Sequence, residues 1–247
     1  MLFEGTIKLA RENSVHYSAG YTIIKQELAD LYGYLKDLHL DEITYLNSLK
    51  FDKRKSSYLL GRISAKNALS KIIPDKIAMN SFKVGFGVFQ FPVIEHLPYS
   101  GFQVSITHCD AIGISMAYPE AHPIGVDIER INPDKVDLMV SMFTKEEIIL
   151  VNSELNDKAT AYTLLWTVKE SLSKILKTGM MIDFKYLELD SLNYKDGIYT
   201  GNFKNFTQYK SFSIVLKYYI ISIICPRNTN INLTDFTKDL TCLNSLS

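Results

Sequence analysis

The apolar positions of the chain follow two rhythms. Over residues 52–73, DKRKSSYLLGRISAKNALSKII, they return every three or four places. Leu59, Leu60, Ile63, Leu69, Ile72 and Ile73 therefore supply the buried side of a helix that Pro74 closes. Arg54, Tyr58, Arg62 and Lys66 recur at i, i+4 and form a separate stripe with three basic members. A second helix is predicted over about 157–178, DKATAYTLLWTVKESLSKILKTG, stopping at Gly179. A helical stretch from about 134 to 152 includes FTKEEIILV, with Thr144 as N-cap and Glu147 three places on. The other rhythm is that of strands. FKVGF, FQVSITH (102–108) and AIGISMAY (111–118) read so, the last two as a hairpin around Asp110. YYIISIIC (218–225) is a β-branched buried strand, too short to span a bilayer. Turns such as KDG (195–197) separate the later strands, and the Asn- and Thr-rich tail after Pro226 is expected to be loosely ordered.

Both halves run from helix to strands, which suggests an α+β fold of pseudo-duplicated design. Pro119 and Pro123 bracket a connector, so the subdomains are expected at 1–120 and 121–247. No fixed-period repeat is evident. The length of 247 residues gives ample core. Lys+Arg and Asp+Glu both number 27, so net charge points to no nucleic-acid or membrane partner and local charge must decide. Cys109, Cys225 and Cys242 form no CxxC and no metal-ligand spacing. That fits a reducing, cytoplasmic compartment. The opening MLFEGTIKLARENS has no apolar run of signal-peptide type.

GVDIERI (125–131) poses the chemical question. Period two puts Val126 and Ile128 on one face and Asp127 and Glu129 on the other, where two like charges repel. A solvated edge or a cation would offset that. In WTVKESLSK (166–174), Leu164, Val168, Leu172 and Ile175 form the core stripe, and Glu170 points away from it. Trp166 and Lys174 flank Glu170 at i−4 and i+4. A hard cation such as Mg²⁺ takes carboxylate, phosphate and water oxygens. Asp127, Glu129 and Glu170 offer such a set, with Lys174 placed to neutralise a phosphate. Each stretch alone is more simply a solvated charged face, with Glu170 and Lys174 an ordinary i,i+4 pair.

Together the two stretches resemble the 4′-phosphopantetheinyl transferases of the Sfp-like, two-subdomain type. That family has a G-V/I-D-I/V-E strand and a W-x-x-K-E-[AS]-x-x-K helix. LLGRISAKNAL (59–69) is similar to its first-helix motif, and VSITH (104–108) to its Ser-x-[Ser/Thr]-His strand. Four motifs in order cover roughly residues 50–180.

The resemblance implies two similar α+β subdomains about a pseudo-twofold axis, with coenzyme A in the cleft between them. It implies transfer of the phosphopantetheine arm of coenzyme A to a serine of an apo acyl or peptidyl carrier protein, releasing 3′,5′-adenosine bisphosphate. Asp127, Glu129 and Glu170 match the family's Mg²⁺ carboxylates, with Mn²⁺ as a substitute metal. Glu170 is the expected base and Lys174 the group that stabilises the leaving phosphate. Thr107 and His108 inherit phosphate contacts. Arg54, Arg62 and Lys66, with Lys53 and Lys55 nearby, are expected at the nucleotide's 3′-phosphate, Arg62 alternatively in packing. QFP (90–92) stands where the family often has Gly-Lys-Pro, so Phe91 replaces a phosphate-contacting lysine. Met139, Met142 and Phe143 serve mostly the core, with one or two free to meet a carrier. Length points to the monomeric, broad-specificity type. The competing expectations are a coenzyme A or carrier-binding module without catalysis, which Phe91 mildly favours and intact Asp127, Glu129, Glu170 and Lys174 oppose, and an unrelated Mg²⁺-dependent nucleotide hydrolase, which the lack of a P-loop disfavours.

Overall fold

The computed structural model describes residues 1–11 and 16–243. The chain divides into two compact units, Met1–Pro123 with Asn230–Leu240, and Ile124–Thr229 with Thr241–Ser247. The division falls at Pro123, and part of the tail returns to the first unit, which the connector at 119–123 did not foretell.

In the first unit, strands β1 (Leu2–Arg11) and β2 (His16–Lys25) form a long antiparallel hairpin. Short helix α1 (Leu28–Leu31) and helix α2 (Leu40–Ser48) lead to α3 (Asp52–Ser70). A small ladder of β3 (Lys83–Phe86) with β4 (Pro92–Glu95) follows, then the expected hairpin of β5 (Phe102–Cys109) with β6 (Ile112–Pro119). Asp110 takes the left-handed backbone that this tight turn demands, φ 53°. The sheet order is β12-β1-β2-β6-β5, where β12 is the short strand Thr229–Ile231 of the tail. Leu59, Leu60, Ala65, Ala68 and Leu69 of α3 are fully buried against it and its neighbours.

The second unit opens with β7 (Gly125–Arg130), then α4 (Val136–Val140), α5 (Lys145–Glu154) and α6 (Lys158–Leu176). Thr144 and Glu147 close the capping box as expected. Asp157 caps α6, and Lys177 in the left-handed region ends it. Strands β8 (Leu189–Lys195), β9 (Ile198–Phe203), β10 (Tyr209–Val215) and β11 (Tyr219–Pro226) complete a sheet ordered β7-β11-β10-β9-β8. Its core joins Leu164, Leu165, Val168 and Leu172 of α6 to Ile220 and Ile224 of β11. The strand bearing the two carboxylates is thus an edge strand.

The tail is more ordered than its composition indicates. Thr229–Ile231 forms β12 at the edge of the first sheet, and α7 (Thr234–Thr241) follows. Phe236 and Leu240, one turn apart, are buried, and Tyr21 meets Phe236 edge-on and donates to Asp239. Two well-spaced apolar residues outweigh the polar composition around them. Residues 244–247, and 12–14 of the opening stretch, lie outside the described residues. No helix among the described residues is long and apolar enough to cross a membrane.

Each unit is a mixed α/β body built on the same internal device. In the first, Glu42 Oε2 accepts from His39 N at the start of α2, and Oε1 accepts from Val84 N. It pairs with Lys66 at 2.9 Å, and Lys66 also donates to Met79 O and Phe82 O. In the second, Glu147 accepts from Thr144 N and Leu189 N and pairs with Lys169 at 2.6 Å. Lys169 donates to Phe184 O and Leu187 O. Ser64 bonds Ser115 across helix and sheet, and Thr167 bonds Ser222 likewise. The helix segments ISAKNALSK (63–71) and WTVKESLSK (166–174) share both lysines, the leucine and the second serine in register. This is an internal repeat that a search for fixed periods overlooks, because only one helix of each copy retains it.

Candidate functional site

A glycine brings the site together. A Cβ on Gly125 would stand 2.0 Å from Ser171 O, so this strand can approach α6 closely only without a side chain there. Period two then turns Asp127 and Glu129 toward the same helix. On α6, Trp166, Glu170 and Lys174 lie on one line at i, i+4, i+8. Trp166 Nε1 donates to Glu129 Oε1 at 3.3 Å. Lys174 Nζ donates to Asp127 Oδ1 at 2.8 Å and to Val126 O at 2.8 Å. The stripe therefore runs alongside β7, with Glu170 between its two contacts. Lys135 reaches Glu129 from outside at 3.8 Å.

The repulsion implied by GVDIERI is present and only partly relieved. Burial, reinforced by the charge of Asp127 and in small part by that of Glu129, lifts the Glu170 carboxyl to about 7, against the pull of Lys174. Glu129 is also raised, first by burial and then by Asp127, while Lys135, Trp166 and Lys174 oppose this. A partly buried group of mutually repelling carboxylates suits a hard divalent cation by donor chemistry. Among the described residues, however, no three His, Cys, Asp or Glu side chains stand close enough to hold a metal ion. The three acids share one region without converging on one point, and Asp127 is turned to Lys174.

The remaining candidates separate into two groups. Arg54 and His108 come together with Phe51, Lys53 and Ser57 around a cavity of ≈ 530 Å³ in the first unit. Thr107 does not join them: the next position along β5 faces the other way, and its side chain is buried. Arg62 is 4% exposed and lies over the rings of Tyr58 and Phe86, 4.7 and 4.4 Å from their centroids. Its Nε and Nη2 have no hydrogen-bond partner, and burial lowers its pKa. Lys66, expected on the same basic stripe, is 1% exposed and engaged with Glu42. The i, i+4 stripe is real, but its far end runs into the core. Phe91 packs where a Cβ on Gly87 would fall, in the tight turn closed by Gly87 N to Phe91 O, 2.7 Å. Met139 and Phe143 are core residues, whereas Met142 lines a smaller cavity with Trp166, Met181 and Phe184.

Sequence reasoning passed over Glu42, Lys135 and the tie that Lys169 makes to Glu147. The matching helix segments of the two halves contained the signal for Lys66 and Lys169.

Comparison with known proteins agrees with the motifs. Residues 123–224, which hold the carboxylate site, match the model of the 4′-phosphopantetheinyl transferase superfamily. The 4′-phosphopantetheinyl transferase gsp of Aneurinibacillus migulanus is 33% identical over 84 residues, 34% of this chain and 35% of that protein. The 4′-phosphopantetheinyl transferase ffp of Bacillus subtilis is 28% identical over 140 residues, 56% of this chain and 57% of that one. The chain thus spans between about a third and a little over half of the length of these relatives.

Proposed function

We propose that this chain, whose residues 123–224 match the 4′-phosphopantetheinyl transferase superfamily, transfers the phosphopantetheine arm of coenzyme A to a serine of an apo acyl or peptidyl carrier protein. The observation that carries the proposal is the stripe Trp166, Glu170, Lys174 laid along Asp127 and Glu129. Those residue types, so arranged, suit a phosphate-transfer centre. The serine oxygen forms a bond to the phosphorus that bears the arm. The bond from that phosphorus to the adenosine-bisphosphate oxygen breaks, and 3′,5′-adenosine bisphosphate leaves with the electron pair.

Asp127, Glu129 and Glu170, which do not meet at one point while Asp127 is turned to Lys174, are the residues proposed to hold Mg²⁺, or Mn²⁺ in its place, once Lys174 releases Asp127. When bound, the metal would neutralise pyrophosphate charge and polarise the attacked phosphorus. Glu170 is assigned the serine proton, as the carboxylate that lies on α6 between Trp166 and Lys174 beside Asp127 and Glu129. Lys174 is assigned to the leaving phosphate. Trp166 and Lys135 fix the direction of Glu129. In the first unit, Arg54 and His108, with Lys53, are assigned to phosphate groups of the nucleotide. We place the activity in the cytoplasm, with a monomeric enzyme.

A second reading, a coenzyme A or carrier-binding module without catalysis, draws on Phe91, an apolar ring in the turn where a cation was expected. One experiment separates the two. Apo-carrier is incubated with the protein, coenzyme A and Mg²⁺, and then weighed. The mass of an added phosphopantetheine supports the transferase. An unmodified carrier, with coenzyme A still bound by the protein, supports the binding module. Nucleotide breakdown without carrier modification refutes both.

A further inference from the structure

The contact between Lys174 and Asp127 has a counterpart where no acid cluster exists. Gly20 of β2 stands to α3 as Gly125 stands to α6: a Cβ on it would lie 2.1 Å from Ala68 O. Two residues beyond each glycine come Thr22 and Asp127, and four beyond come Ile24 and Glu129. On the helices, Asn67 holds the place of Glu170, and Lys71 the place of Lys174. The first unit thus keeps the frame without the three carboxylates. Its lysine nevertheless reaches a strand carboxylate. Lys71 pairs with Glu4, which sits directly across from Thr22 in the β1–β2 register. A lysine at this helix position that neutralises a strand acid is therefore part of the frame itself, and needs no phosphate to explain it.

In the second unit the acid so held is Asp127, 5% exposed and one of the proposed cation ligands. Resting on that proposal, we infer that Lys174 is the resident counter-charge of the carboxylate site. Its ammonium keeps Asp127 until a divalent cation arrives, and it must let go of Asp127 for the cation to bind. Two positive charges competing for one buried carboxylate repel each other strongly at this range. The cation affinity of the protein alone is accordingly set low. The displaced ammonium becomes free for an anionic group only once the cation is in place, which couples the two binding events.

The test uses the full chain with Mn²⁺ alone as probe, without coenzyme A. Calorimetric titration compares the wild type with Lys174→Met, Lys174→Arg and Lys71→Met. Lys174→Met is expected to bind Mn²⁺ on the order of tenfold more tightly, the range typical of coupling between neighbouring sites. Lys174→Arg keeps the charge and should stay weak, and Lys71→Met should match the wild type. A measurement on the unmodified protein guards against a variant that does not fold. Mn²⁺ should increase acetylation of Lys174 by acetic anhydride, read by peptide mass, and leave Lys71 unchanged. If the wild type binds Mn²⁺ but Lys174→Met binds it equally or less well, and the labelling of Lys174 does not rise, Lys174 is not the counter-charge and the carboxylate site still stands. If none of the proteins binds Mn²⁺, the carboxylate site and the role of Lys174 are both wrong.

Discussion

Gly125 and Ser171 are in backbone contact: any side chain at 125 would drive a carbon to 2.0 Å from the Ser171 carbonyl oxygen. That oxygen belongs to a helix backbone and cannot swing aside. Gly125→Ala should therefore push β7 from α6, lengthening the reach from Lys174 to Asp127 and from Trp166 to Glu129. The expected outcome is a loss of about 2–4 kcal/mol in urea unfolding, with transferase activity lost beyond what the folded fraction explains. Gly197→Ala serves as control. It sits in a β-turn with nothing near its Cβ and carries only local backbone strain, φ 85°. Equal effects from the two substitutions would mean that the strand–helix approach at Gly125 has no special part in the site.

Lys169 and Glu147 are both fully buried, and the pair joins the start of α5, the start of β8 and the turn at 184–187. Phe184 in that turn packs on Trp166, ring centroids 5.3 Å apart, and Trp166 steers Glu129. Removing one partner of a buried ion pair strands the other charge, at a cost of about 3–5 kcal/mol. Lys169→Met should lose that much in chemical denaturation. Adding Glu147→Gln should give part of it back, since the abandoned carboxylate is gone. Strictly additive losses would show that the two side chains are not coupled.

Elements such as α3 and α6 were readable from apolar spacing because their buried faces are regular, as at Leu59–Leu69 and Leu164–Leu172, whereas the β1–β2 hairpin and the helices before residue 50 were not read. The two acid-bearing stretches were readable because acids alternate with Val126 and Ile128, and because Glu170 leaves the core stripe. Three things were hidden. Lys66 shares its spacing with solvent-facing Arg54, and only the position of Glu42, far back in the chain, draws it inward. Helix α7 depends on Phe236 and Leu240 finding the first unit, a long-range event that composition does not record. The turn of Asp127 toward Lys174, instead of toward Glu170, is a choice between charges that spacing leaves open.

Glu170 should make the protein's stability fall with rising pH. Its folded-state proton affinity is raised to about 7 from the usual 4.5 by burial and by Asp127. The folded chain thus holds the proton more tightly than the unfolded one. That contribution is complete below the unfolded pKa and disappears as pH climbs through 7. Glu170→Gln has no charge to bury. Without divalent cations, the wild type should lose on the order of 1 kcal/mol relative to Glu170→Gln between pH 5 and pH 8, part of the shift being screened by solvent. Urea unfolding at several pH values measures the difference, and a constant gap across that range would contradict it. The same substitution should slow transfer at least ~100-fold with carrier and coenzyme A saturating, through loss of the proton acceptor.

Arg54 and Lys66 shared one expected role, and their surroundings differ. Arg54 lines an open cavity with Lys53 and His108, where a guanidinium can meet a phosphate. Lys66 is spent on Glu42 and two backbone carbonyls. Arg54→Ala should raise KM for coenzyme A by about tenfold while kcat changes by less than about threefold, the pattern of lost ground-state binding. Its unfolding midpoint should stay with the wild type. Lys66→Met should do the reverse: a stability loss of about 3–5 kcal/mol, with KM for coenzyme A unchanged in the molecules that remain folded. Steady-state kinetics and denaturation on the two purified variants decide the matter. A raised KM in folded Lys66→Met would return that lysine to the nucleotide, and an unchanged KM in Arg54→Ala would remove the cavity from it.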